Sequence, residues 1–264
     1  ATIGPMTVVS GCLARSVRDV ARWYDVCAGF DARDPYSLPV ESDWEASLGS
    51  TDLTGLRAVV SPDLGSAVLS NAVRTRVHEA GHLFVEATGM QLVDVDVTMP
   101  SITWEWAIAN QAGLYKEVGD LWPGCEEQMT KSMAFGVRMG LERFNIDIAA
   151  RVEAGRTEAN RYMADLFDGV DVVICASNPD VAFPAEIESN TRVAGDKAPP
   201  GNNGALTIPA NISGNPAVSV PAGFVGDRPV GIQFMGRQHE DRMVLDLARA
   251  WESLQPWPLV STLV

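Results

Sequence analysis

His78-Glu79-Ala80-Gly81-His82 is the run with the most explicit chemistry in this sequence. On a helix, residues four apart lie one turn above another, so both imidazoles would face one metal ion, with the glutamate beside them as general base. This is the signature of a zinc-dependent hydrolase, and it supplies one alternative for function. Three features oppose it. No further histidine follows at the spacing that gives longer zincin motifs their third ligand, because the remaining histidine is His239. Arg76 sets a charge beside the motif, and Gly81 weakens a helix at its centre. Val73, Val77, Ala80 and Phe84 already give the segment a core-facing stripe, which puts His78 and His82 on its flank. The expectation is therefore no metal and no other cofactor.

The other reactive types are less organised. Asp94 and Asp96 resemble a carboxylate pair, yet they alternate with Val93, Val95 and Val97 as the solvated face of a strand would. Cys12, Cys27, Cys125 and Cys175 include no Cys-x-x-Cys pair, which fits reduced thiols and a cytoplasmic location better than a disulfide framework or a zinc knuckle. The sequence holds no Gly-x-Ser-x-Gly elbow, and its histidines have no recognisable serine or cysteine partner. Lys116, Lys131 and Lys197 read as surface residues.

The elements that must position these residues alternate in type. Ser16 caps a helix through Val17, Val20, Ala21, Tyr24 and Cys27, closed by Gly29. An apolar run, Leu56 to Val60, precedes a helical face of Val73, Val77, Ala80, Phe84 and Thr88 that stops at Gly89, and Gln91 to Val97 then alternates like a strand. This is one β-α-β unit. From Trp104 to about Phe167 two or three helices are expected, broken at Trp122-Pro123-Gly124. Asp171 to Cys175 reads as a buried strand followed by a long loop, a usual place for binding residues. Val218 to Val220, which Pro221 and Gly223 are expected to end, and Val230 to Phe234 read as further strands. A helix from Asp241 to Leu254 buries Val244, Leu247, Ala248 and Trp251. The pattern predicts an α/β fold, a mixed β-sheet covered by helices on both faces.

Residues 1–264 carry 46% hydrophobic and 20% charged residues, which suits one domain. The formal charge of −14, from 34 acids and 20 bases, disfavours nucleic acid and anionic membranes as partners. No apolar run approaches the roughly 18 residues of a membrane span.

Three ordered stretches resemble one known family. Gly11-Cys12-Leu13-Ala14-Arg15-Ser16-Val17-Arg18-Asp19, with Asp34-Pro35 and Ser37 after it, is similar to the helix entry of the amidase signature family, Cys12 standing where proline is usual. Leu53 to Pro100 looks like that family's next β-α-β unit. Leu206-Thr207-Ile208-Pro209-Ala210-Asn211, Ser213 to Gly223 and Pro229-Val230-Gly231-Ile232-Gln233 with Gly236 resemble its C-terminal part.

The resemblance implies a hydrolase of carboxylic amides, or a transferase of the released ammonia, with an amidase-signature-like core that is incomplete in this chain. The family's chemistry uses a serine, a second serine with a cis peptide and a lysine, carried on a Gly/Ser-rich loop and a strand that precede the Gly11 match. This sequence has neither, so no catalytic residue is assigned. The triad is expected in a missing N-terminal segment or a second polypeptide. What remains is scaffold and part of a pocket for a small-molecule amide, with Asn178, Phe183, Asn202, Asn203 and Gly204 as substrate-binding candidates. Trp104, Trp106 and Tyr115 are possible aromatic neighbours of Phe183. Relatives that bind glutamine carry an acid three positions before the threonine of Thr-x-Pro, where this chain has Gly204, which disfavours glutamine. A non-catalytic scaffold subunit is the other alternative, and a homo-oligomer is possible.

Overall fold

Local capping sets the first helices. Ser16 Oγ accepts the Asp19 backbone N–H and opens α1 (Val17–Cys27), and Ser70 Oγ accepts from Val73 N to open α2 (Asn71–Thr88). Gly89 in the left-handed region (φ 71°) ends α2. The end of α1 differs from expectation: Ala28, in extended conformation, is its cap, and Gly29 follows. The computed structural model describes residues 9–34, 36–101, 103–187, 190–199 and 201–260, so Pro35 of the sequence match lies outside the described residues.

The sheet has the order β2-β1-β3-β7-β6. β1 (Arg57–Val60), β2 (Gln91–Leu92) and β3 (Val172–Ala176) run parallel to one another, while β7 (Arg228–Met235) is antiparallel to β3 and to β6 (Ala217–Val225). A mixed sheet is therefore present as expected. All five residues of β3 are buried, as a strand covered on both faces must be. On one face, Phe84 of α2 and Phe234 of β7 meet at 4.9 Å between ring centroids, and Trp251 of α7 (Asp241–Leu254) packs edge-on against Phe84. On the other, Gln233 Nε2 donates to the Leu206 carbonyl and contacts Cys175. There α6 (Ile208–Ser213) packs Ile208 and Ile212 against Ala159 of α5 (Ile146–Gly169).

Two strand expectations change. Gln91 to Val97 keeps its alternation, with Asp94 and Asp96 exposed and Val97 buried, but only Gln91 and Leu92 join the sheet. β6 does not stop at Pro221; it continues to Val225 through an irregularity between Pro221 and Phe224. As the last strand in the order, β6 tolerates a proline there, since the N–H on its open side has no strand to meet.

The helix-rich region resolves into α3 (Thr103–Val118), α4 (Lys131–Arg143) and α5, with two short 3-10 turns between the first two. A small hairpin, β4 (Arg192–Val193) with β5 (Asp196–Lys197), lies in the long loop after β3. No helix among the described residues is long and apolar enough to cross a membrane.

Candidate functional site: a cavity at the end of the third strand

β3 is apolar from end to end, and its C-terminal end turns through Ser177 into the loop of Asn178, Pro179 and Asp180. That loop, the start of β7 and the turn before α6 enclose a cavity of about 490 Å³. Asn178, Phe183 and Asn203 line it, with Val181, Val230 and Gly231. It therefore sits at the carboxyl end of the central parallel strand, where α/β sheets place their ligands.

The loop that forms this wall is pinned by polar contacts. Asp180 accepts from the backbone N–H of Val181 (2.9 Å) and of Ala194 (2.8 Å), which ties the loop to the β4-β5 hairpin. Arg228 at the start of β7 donates to the Ala182 carbonyl. By contrast, the side-chain amides of Asn178 and Asn203 make no protein hydrogen bond among the described residues, and both residues are exposed. Their donors and acceptors are open to a ligand.

The other two binding candidates serve the frame. Asn202 is buried, and its amide mimics a strand partner: Oδ1 accepts from Val68 N at 2.8 Å and Nδ2 donates to Val68 O at 2.9 Å. Gly204 stands against Ile208, whose Cδ1 lies 2.4 Å from where a Cβ would be. Neither lines the cavity. Of the aromatic candidates only Phe183 does: Trp104 lies under the Arg151 guanidinium, Trp106 packs against the Ile208 and Ile212 cluster, and Tyr115 is exposed.

Beside the cavity, at Gly231, lies a contact that the sequence does not reveal. Ser177 Oγ and Ser219 Oγ are hydrogen-bonded at 2.5 Å, one from the end of β3 and one from β6, across β7. They meet because Gly231 lies between them; a Cβ there would stand 2.6 Å from Ser177 Oγ and 3.2 Å from Ser219 Oγ. Strand alternation alone could have put Ser219 and Gly231 on one face, but the pairing register was needed to bring Ser177 to them.

The thiol in this region is inert. Burial pushes Cys175 up to about 12, so it holds its proton and is no nucleophile. Lys116, Lys131 and Lys197 are all exposed. His78 and His82 lie on the outer side of α2 rather than at the cavity, and among the described residues no group of three or more His, Cys, Asp or Glu side chains is placed to hold a metal ion.

Fold and cavity together define an α/β protein with a ligand-sized cavity at the end of a sheet strand. The sequence profile of the Amidase family matches residues 3–245, and the chain belongs to that family. It is 30% identical over 267 residues to an acylamidase of Rhodococcus erythropolis, covering 94% of this chain and 52% of the relative. It is 28% identical over 269 residues to a glutamyl-tRNA(Gln) amidotransferase subunit of Lacticaseibacillus casei, covering 92% and 54%. A bacterial aryl acylamidase of the amidase signature enzymes has the same fold, with a TM-score of 0.79 at 23% identity over 92% of this chain and 52% of that one. The crystal structure of the same amidotransferase subunit from Thermotoga maritima gives 0.69 at 23% identity, over 97% and 54%. The chain spans about half the length of the curated relatives it matches.

Proposed function

We propose that this chain supplies scaffold and part of the substrate pocket of an amide C–N hydrolase. The serine nucleophile, the cis-peptide serine and the lysine would lie outside these residues, on a preceding segment or a second polypeptide. Three facts support this division: membership of the Amidase family, the match to about half of each relative, and a sequence without the Gly/Ser-rich loop.

The observation that carries the pocket assignment is the pair of carboxamides, Asn178 and Asn203, that have no hydrogen-bond partner among the described residues and lie on the cavity that Phe183 and Val230 line. A carboxamide can both donate to a substrate carbonyl and accept from its N–H, while the apolar lining takes the acyl or amine substituent. Gly204 lies outside this cavity; the resemblance alone, which puts it where glutamine-binding relatives carry an acid, favours an uncharged amide over glutamine.

The test is a simple anilide offered to the purified chain. Expected are no turnover and a saturable shift in the resonances of Phe183 and Val230, abolished in an Asn178→Ala, Asn203→Ala double variant. Hydrolysis that follows the chain through successive chromatographic steps would overturn the division of labour. Binding unchanged in the double variant would overturn the cavity assignment.

A further inference from the structure

The outer side of α2 holds an arrangement that the amidase reading leaves unused. His78 Nε2 and His82 Nε2 lie 3.1 Å apart, with their ring centroids 4.2 Å apart. A tetrahedral ion with metal–nitrogen bonds of about 2.05 Å separates two ligand nitrogens by about 3.3 Å, and a right-angled one by about 2.9 Å. The observed gap lies between these two, so the separation matches a shared ion, reached by turning the tilted rings until both lone pairs converge on it. We propose that His78 and His82 form a two-ligand chelate site for a late first-row divalent cation such as Ni²⁺, Cu²⁺ or Zn²⁺, with water completing its shell.

Imidazole nitrogen selects this part of the series over Mg²⁺ or Ca²⁺, which prefer oxygen. The rings are held for the task by how α2 is seated. Gly81, between them in sequence, faces the sheet so closely that a Cβ would meet Val60 Cγ1 at 2.8 Å, and this contact fixes the rotation of the helix about its axis. His78 is exposed and His82 half-buried, so the pair opens to solvent. In the metal-free pair one Nε2–H donates to the other ring. Binding needs only that the donor ring move this proton to its Nδ1.

The absence of a third protein ligand among the described residues separates this site from a hydrolytic zinc centre. Its effect is structural. Gly81 is a poor helix former, held there by packing, and an ion bridging residues 78 and 82 spans the turn that Gly81 loosens. A formal charge of −14 also favours a dication near the surface.

The site is tested with NiCl2 in thermal unfolding. At a hundredfold excess over the dissociation constant the midpoint should rise by roughly 5–10 °C for a chain of this size. His78→Asn and His82→Asn should each abolish the rise, and His239→Asn should retain it. No rise in the wild type, a rise that survives either of the first two substitutions, or one lost with His239→Asn overturns the proposal. Electron paramagnetic resonance of the Cu²⁺-loaded wild-type chain gives a reading that needs no variant. Two imidazole nitrogens are expected, and a signal from one nitrogen overturns the shared site.

Discussion

Asp171 stands at the entry to β3 and accepts from the Arg57 backbone N–H at 2.8 Å and the Arg57 Nη2 at 3.0 Å, while Arg237 donates to the same carboxylate. Chiefly through the Arg57 side chain, and against the effect of burial, its pKa falls from 3.8 to about 2. A carboxylate whose pKa is lower folded than unfolded stabilises above its unfolded value and loses that contribution as pH drops through the folded one. Stability should therefore decline between about pH 4 and pH 2 by roughly 2 kcal/mol from this group. Asp171→Asn should cost about 3 kcal/mol at neutral pH, since it leaves two guanidinium groups poorly compensated, and should flatten that acid limb. Urea titrations across the range read both effects. The strand itself was legible as an apolar run, but not this network, because its arginines lie 114 and 66 residues away. Gly231 is a second case. Gly231→Ala should destabilise by about 1–3 kcal/mol, because the new methyl meets both the hydroxyl and the Cβ of Ser177, and it should also separate Ser177 from Ser219. A stability unchanged by this substitution would contradict the crowded crossing of the three strands.

At the scale of elements, α2 shows what periodicity reads well and what it does not. The stripe of Val73, Val77, Ala80 and Phe84 is buried as its spacing predicts, and Ser70 and Gly89 bound the helix. Gly81 looked like a weakness in that pattern, whereas it faces Val60 of β1 with no room for a Cβ. Gly81→Ala makes the two effects compete. Helix propensity gains up to about 1 kcal/mol, but the added carbon lies 2.8 and 3.0 Å from the two methyls of Val60, a stiff β-branched side chain. Packing should win, with a net loss of about 1–2 kcal/mol seen as a lower unfolding midpoint. The β6 strand was read too short for a related reason. Pro221 and Gly223 end strands in a sheet interior, but a strand on the edge accommodates them with an irregularity, and edge position is a property of topology rather than of local sequence.

On the scale of the whole molecule, the chain matches about half of each relative, and its sheet ends at β6 among the described residues. β6 offers nine residues on the open edge, with Ala217, Ser219, Pro221 and Phe224 exposed. The segment before α1 lies along its start and, with α7, encloses a groove of about 400 Å³, while Leu13 in that segment is fully exposed. Much of the family fold was legible in the sequence because glycine, proline and capping residues mark its elements. The open edge was not, since an apolar strand reads alike whether or not it has a second neighbour. Unpaired edges of this length associate unless charge or another strand blocks them. The purified chain alone should therefore self-associate, its sedimentation coefficient rising with concentration. Ala217→Lys, which puts a charge at an exposed position of β6, should keep it monomeric without lowering the unfolding midpoint. A wild-type chain that remains monomeric at all concentrations would show that β6 is already protected, most simply by Pro221 and the irregularity after it.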